Sequence, residues 1–153
     1  GSAASWGGGC MNRLSHYTTL TLLPQILNSG HLLPHMDGRI EKSVVWLSSD
    51  SFWEPTATKP CRTDSALVSL KFWEYRDLFG CIRFALPADD SRLLTWRDVC
   101  EQAGLSRVER RKLEADARKR GGDPKQWFAV PAAIPLADMS LEILSINEWR
   151  TVS

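Results

Sequence analysis

The chain has 153 residues, a length that favours one domain with a single sizeable core. Charged residues make up 24% of the chain and apolar residues 43%, proportions of a folded globular protein rather than a disordered or fibrous one. The net charge of +1 excludes strong attraction of the whole molecule to nucleic acid, and no apolar run reaches the roughly 18 residues of a membrane span. We therefore expect a cytoplasmic protein with no membrane partner.

The first ten residues, GSAASWGGGC, are mostly small residues and glycines. We predict that residues 1–10 are a tail added for expression and that residues 11–153 form the single domain. The cysteines lie singly in the sequence and form no C-x-x-C pair. This spacing predicts buried thiols and no metal site. The four positions are Cys10, Cys61, Cys81 and Cys100.

The first elements are a strand and a helix that follows it directly. Arg13–Tyr17 is predicted to be a strand that carries Leu14 and His16 on one face. A helix is expected to begin close to Thr21 and to end at Gly30, which supplies a left-handed stop. Its buried stripe is predicted to be Leu23, Ile26 and Leu27.

The middle of the chain alternates between loops and short elements. Residues 31–42 are predicted to be a polar connection, and Val44–Ser48 a strand that ends on serines. The proline-containing stretch 51–64 is typical of a loop. A helix is expected from about Ser69 to Gly80.

The second half combines three strands with two helices. The strands are predicted at Cys81–Pro87, Trp127–Val130 and Met139–Ile146. A short helix is expected after the capping pair Thr95 and Asp98, and a longer surface helix after the capping box Ser106–Glu109. Together the elements predict an α+β domain with a curved, largely antiparallel split sheet and flanking helices.

The opening strand and helix carry a family resemblance. In SHYTTLTLLPQILNSGHLLP a strand with His16 and Thr18 leads into a helix of pattern L-x-x-I-L-x-x-G-x-L. This arrangement resembles the start of the ADP-ribosyltransferase fold, shared by poly(ADP-ribose) polymerases and diphtheria-toxin-like transferases. Tyr17 stands where the polymerases carry glycine. A lone histidine in a strand is also a common structural residue.

Two later stretches are similar in placement to parts of the same family. In VVWLSSD and the following FWEPTA, Ser48 resembles the hydroxyl of the NAD site and Trp53 its aromatic wall. Glu142 in SLEIL resembles the acidic residue on a late strand, with Glu148 in NEWR as the alternative. The simpler interpretations are a strand that ends in a serine turn and glutamates that face solvent.

The resemblance implies an NAD-dependent ADP-ribosyltransferase that releases nicotinamide, an activity found in bacterial and phage effectors. His16 would donate a hydrogen bond to a ribose hydroxyl, Thr18 or the backbone of Tyr17 would hold nicotinamide, and Glu142 would stabilise the cationic ribose. Ser48 and Trp53 would complete the NAD site, without a metal. The acceptor would be a protein or nucleic acid that the sequence does not identify.

Two alternative functions stay open on the same fold. One is a catalytically silent module that binds a nucleotide or a protein. The other is an enzyme similar to RNA 2′-phosphotransferases, which use a histidine and several arginines; here the arginines would be Arg13, Arg83 and Arg150.

The stretch from Arg107 to Arg120 is strongly basic, with seven basic and three acidic residues and a net charge of +4. One interpretation is the solvated face of a surface helix. The other is an arm that contacts the phosphates of a nucleic acid or nucleotide target.

Overall fold

A computed structural model of the chain describes residues 13–36 and 43–152. The predicted tail, residues 1–10, and the predicted domain start at Met11 lie outside the described residues. Within them the strands are β1 (Arg13–Thr19), β2 (His31–Leu32), β3 (His35–Met36), β4 (Ser43–Ser48), β5 (Cys61–Arg62), β6 (Leu67–Val68), β7 (Cys81–Pro87), β8 (Leu94–Thr95), β9 (Trp127–Val130), β10 (Ile134–Pro135), β11 (Ser140–Ser145) and β12 (Glu148–Thr151). The helices are α1 (Leu23–Ser29), α2 (Phe72–Phe79), α3 (Trp96–Gln102) and α4 (Arg107–Lys119).

Seven strands form the main sheet in the order β12-β11-β7-β1-β4-β9-β8. Each neighbouring pair in this order is antiparallel, and β3 also pairs antiparallel with β4. The prediction of a mixed α+β fold around a largely antiparallel sheet is therefore confirmed. None of the helices within residues 13–36 and 43–152 is both long enough and apolar enough to cross a membrane.

Most predicted elements are present, and the differences have local causes. β1 continues two residues beyond the predicted end at Tyr17 because it pairs with β7 as far as Thr19. α1 follows a short 3-10 turn, and Gly30 ends it in the left-handed conformation with a φ of 73°. Leu27 was wrongly placed in the buried stripe of α1, since 54% of it is exposed. The helix is only seven residues long, and Leu23 and Ile26 are the residues that pack on the core.

The start of the second helix was also predicted too early. α2 begins at Phe72 rather than near Ser69 because Leu67–Val68 forms a strand with Cys61–Arg62. The capping boxes at Thr95 and Ser106 are present as predicted. The two capping boxes therefore fix the starts of α3 and α4.

The register of the central strands determines which side chains share a face of the sheet. His16 lies opposite Phe84, which lies opposite Leu141 in the next strand. Tyr17 lies opposite Arg83, which lies opposite Glu142. Side chains of directly opposed residues point to the same face, and adjacent residues point to opposite faces. His16 and Glu142 therefore project from opposite faces of the sheet.

One face of the sheet carries a buried charge pair inside an aromatic cluster. Arg83 Nε donates a hydrogen bond of 2.8 Å to Glu142 Oε1, and both side chains are at most 10% exposed. The guanidinium also lies 4.3 Å from the ring centroid of Trp149 and donates to the Ser51 carbonyl. Arg13 lies at the edge of this pair, 3.8 Å from Glu142. These contacts compensate the two charges that the strand register buries.

The described cysteines behave as structural thiols. Cys81 and Cys100 are buried, and Cys61 is half-buried in β5. Burial raises the pKa of Cys81 to about 12 and that of Cys100 to about 11. Both thiols are therefore protonated at neutral pH and are poor nucleophiles.

We predict that Arg83→Met lowers the free energy of unfolding by about 3–5 kcal/mol, because the buried Glu142 carboxylate loses its main partner. The double variant Arg83→Met/Glu142→Leu should recover most of this loss, since it removes both charges. Urea unfolding of both variants measures the difference. The control is Arg97→Met, which removes a guanidinium whose side chain is 76% exposed and should change stability little. Equal destabilisation of the single and the double variant would contradict this description of the pair.

Candidate functional site

The site begins where two central strands separate. β1 pairs with β7 along seven consecutive residues, but its register with β4 contains the single pair Ser15 and Ser48. Beyond that pair, the edges of β1 and β4 face each other without forming a ladder. A sheet that opens in this way presents backbone donors and acceptors to whatever lies between its strands.

A cavity of about 500 Å³ occupies this region. Its volume lies within the roughly 300–1,000 Å³ that is typical of small-molecule sites. The residues that line it come from β1 and the turn after it, β3, β4, the segment after β4, α2, α3, α4 with its C-cap, and the start of β9. The lining includes Tyr17, Thr18, His16, Trp46, Ser48, Glu54, Thr56, Trp96, Arg120 and Trp127.

His16 bridges the opening between the two strands. Its Nδ1 lies 2.7 Å from the carbonyl oxygen of Trp46. Since a carbonyl only accepts hydrogen bonds, Nδ1 carries the proton, and Nε2 of the neutral ring is an acceptor. Burial lowers the pKa of His16 below 6.5. The hydrogen bond to the Trp46 carbonyl opposes this shift, and the charges of His35 and Lys59 add to it. The ring is therefore neutral at pH 7 and can accept a hydrogen bond from a ligand hydroxyl.

Ser48 and Glu54 form the polar wall of the cavity. Both residues are buried. Ser48 Oγ donates to Glu54 Oε1 at 2.8 Å, and the Thr56 hydroxyl and amide donate to Oε2 at 2.6 and 3.0 Å. These three bonds come from neutral groups, so they orient the carboxylate without neutralising its charge. Such a carboxylate can stabilise positive charge on a ligand.

The segment that carries Glu54 is held against the end of α4. Arg120 donates to the carbonyl oxygens of Thr56 and Thr58 at 3.1 and 2.9 Å. Gly122 packs so closely here that an added Cβ would lie 2.8 Å from Thr56 Cγ2 and 3.2 Å from a backbone carbonyl. The end of α4 therefore fixes the position of the buried carboxylate.

Three tryptophans give the cavity an aromatic wall. The rings of Trp96 and Trp127 are perpendicular with centroids 5.1 Å apart, and Trp46 lies 6.0 Å from Trp96. Trp96 Nε1 donates to Glu114 Oε2 of α4 at 2.6 Å. Large rigid rings of this kind offer apolar area to a flat ligand at low entropic cost.

The structure brings four of the six predicted site residues to the cavity: His16, Tyr17, Thr18 and Ser48. The ring of Tyr17 is itself buried among aromatic side chains, and its hydroxyl donates to the Asp50 carbonyl. Burial raises the pKa of Tyr17 to about 12, against the opposing effect of Arg83, so the phenol stays protonated.

Trp53 and Glu142 do not line the cavity. Trp53 packs against Tyr17 and Tyr75 inside the aromatic cluster, and its Nε1 donates to Thr58. Glu142 is bound by Arg83 on the face of the sheet opposite His16. The alternative residue, Glu148, is 74% exposed in β12 and also does not line the cavity. The alternating pattern of β11 predicts only which face of the sheet carries Glu142. It does not identify Arg83, the partner on that face, which lies 59 residues away in the sequence.

Glu54, a buried carboxylate that lines the cavity together with the half-buried Asp116, was missed because its sequence was interpreted as a loop. Glu54 precedes Pro55, which is the first residue of a 3-10 turn, and its side chain caps that turn. An acidic residue directly before proline and threonine is a signal of such a capped turn. That signal predicts a fixed carboxylate but not the cavity that it faces.

Comparison of the chain with protein-family models, with curated proteins and with solved structures finds no match.

We predict a pH-dependent stability that originates at His16. The pKa of His16 is lowered in the folded state, so the unfolded chain binds the additional proton as the pH falls below about 6.5. The free energy of unfolding should therefore fall from pH 7 to pH 5, by at most about 1.4 kcal/mol per pH unit for this one group. His16→Asn keeps a side-chain N–H for the Trp46 carbonyl and should show a shallower fall. Denaturant unfolding at each pH measures both proteins, and parallel pH profiles would contradict the assignment.

Proposed function

We propose that the protein is an NAD-dependent ADP-ribosyltransferase that transfers ADP-ribose from NAD to a macromolecular acceptor and releases nicotinamide. The observation that supports this function best is the cavity between β1 and β4. There His16 offers a ring nitrogen acceptor, Glu54 offers a carboxylate bonded by neutral groups, and three tryptophans also line the cavity. The resemblance of SHYTTLTLLPQILNSGHLLP to the start of this family agrees with the same assignment.

The reaction requires a site that stabilises a transient positive charge. The bond between ribose C1′ and the nicotinamide nitrogen breaks, and its electron pair leaves with nicotinamide, which becomes neutral. The ribose develops oxocarbenium character until C1′ bonds an oxygen or nitrogen of the acceptor. The acceptor's proton passes to a carboxylate or to water. Each step therefore favours a fixed negative charge beside C1′ and a closed environment.

The residues that line the cavity carry the hydrogen-bonding groups and the carboxylate that these steps need. His16 Nε2 accepts a hydrogen bond from a ribose hydroxyl, whereas the sequence led us to expect donation. Thr18 and the backbone of Tyr17 hold the nicotinamide amide at the strand edge. Glu54 takes the electrostatic role that the sequence assigned to Glu142, because Arg83 already compensates Glu142.

We predict that the protein binds NAD and releases nicotinamide, and that Glu54→Gln lowers the rate about 100-fold or more. Glutamine keeps the size and the hydrogen-bond acceptor of the side chain but removes the charge. His16→Ala should also lower the rate, because it removes the Nε2 acceptor. Calorimetry measures NAD binding, and chromatography of released nicotinamide measures turnover.

Two matched carboxylate variants separate the role of Glu54 from the roles predicted for the late glutamates. Glu142→Gln, with activity expressed per folded molecule, and Glu148→Gln should both keep activity near that of the wild type. Loss of activity in Glu142→Gln with full activity in Glu54→Gln would overturn the roles proposed here. Saturable NAD binding without nicotinamide release would instead identify a catalytically silent binding module.

A further inference from the structure

The segment 107–120, which contains α4, is strongly basic. The segment 107–120 carries +4 while the whole chain carries +1, so the rest of the chain carries −3. Positive charge is thus concentrated on one helix of a nearly neutral protein. Such segregation creates a local potential that whole-molecule charge does not reveal.

The charges of α4 are sorted between its two faces. Leu113, Asp116, Ala117 and Arg120 line the cavity, and Glu114 is held by Trp96 and Arg110. At 3.6 residues per turn, Arg107, Arg111 and Arg118 fall within about 40° of one another on the side away from Leu113. These three residues, which we call the arginine stripe, are all exposed.

α4 therefore borders the cavity on one side and the solvent on the other. The inner face forms a wall of the cavity, and the outer face presents a line of guanidinium groups. The arginine stripe lies on the side of α4 away from the cavity, so a bound strand would have to pass around the helix, roughly 10 Å across, to reach the cavity. Guanidinium groups bind phosphates with two parallel hydrogen bonds, which favours Arg for contacts with a nucleic-acid backbone.

We propose that the arginine stripe docks a single-stranded nucleic acid and that this strand is the acceptor for ADP-ribose. A polyphosphate backbone matches the charge of the stripe, which lies on an otherwise acidic protein. A single strand can turn a base or sugar out of its backbone toward a cavity, which a paired base in a duplex cannot do without being extruded. The acceptor role rests on the proposed function, whereas docking on α4 does not.

The docking test uses fluorescence anisotropy of short labelled single strands of DNA and RNA. Three phosphate contacts predict a roughly twentyfold loss of affinity between about 50 and 200 mM salt. The triple variant Arg107→Gln/Arg111→Gln/Arg118→Gln should bind much more weakly and lose this salt dependence. Circular dichroism checks that α4 still folds.

The matched control changes charge by the same amount elsewhere on the surface. The triple variant Arg62→Gln/Arg97→Gln/Arg150→Gln removes three exposed arginines outside α4 and should bind the strands nearly as the wild type does. Equal loss in both triple variants would overturn the docking site. Equally tight binding of polyglutamate would also overturn it, because the stripe would then attract any polyanion.

Transfer is tested with NAD labelled in its adenylate half. Wild-type protein should label the strand, and the stripe variant should not, while both cleave NAD to nicotinamide in water at the same rate. Cleavage without labelling of any strand would overturn the acceptor assignment and leave the proposed NAD chemistry intact. Salt-dependent docking without NAD cleavage would overturn the proposed function and the acceptor role but not the docking site.

Discussion

The separation of β1 from β4 after a single residue pair is the constraint on which the site depends. β1 is held in place by continuous pairing with β7, so its other edge can open without loss of the sheet. The opening lets His16 reach the Trp46 carbonyl, which fixes its tautomer and leaves Nε2 as an acceptor. The same opening admits the segment that carries Glu54. A regular ladder between β1 and β4 would close the cavity and satisfy the backbone groups along its walls.

Two carboxylates are buried among residues 13–36 and 43–152, and they are compensated in different ways. Glu142 is paired with the Arg83 guanidinium, which also stacks on the Trp149 ring. The negative charge of Glu142 is therefore compensated within the fold. Glu54 is held by hydroxyl and amide donors next to a cavity. Burying a charge is costly unless hydrogen bonds or an ion pair compensate it. The arrangement of donors, rather than the presence of a carboxylate, distinguishes a structural acid from one that can act on a ligand.

Local patterns in the sequence were sufficient for most elements of the fold. β-branched and aromatic composition identified β4, alternation identified β7, and capping residues identified α3 and α4, because these signals act over a few residues. His16 was identified as a candidate site residue for the same reason, since its strand and the following helix are adjacent in sequence. The roles of Glu142 and Trp53 depended on contacts with distant segments that no local pattern contains. Glu54 lies in an irregular segment, where burial is set by packing against the end of α4.

The proposed function requires that the cavity between β1 and β4 binds NAD. The most direct measurement is an NMR titration of the Glu54→Gln variant, labelled with ¹⁵N in its tryptophan indoles, with NAD. If NAD binds in the cavity, the indole signals of Trp46, Trp96 and Trp127 should shift with one saturable binding curve, while the exposed Trp73 should not shift. Shifts confined to Trp73, or no shift in the three cavity tryptophans at saturating NAD, would contradict it.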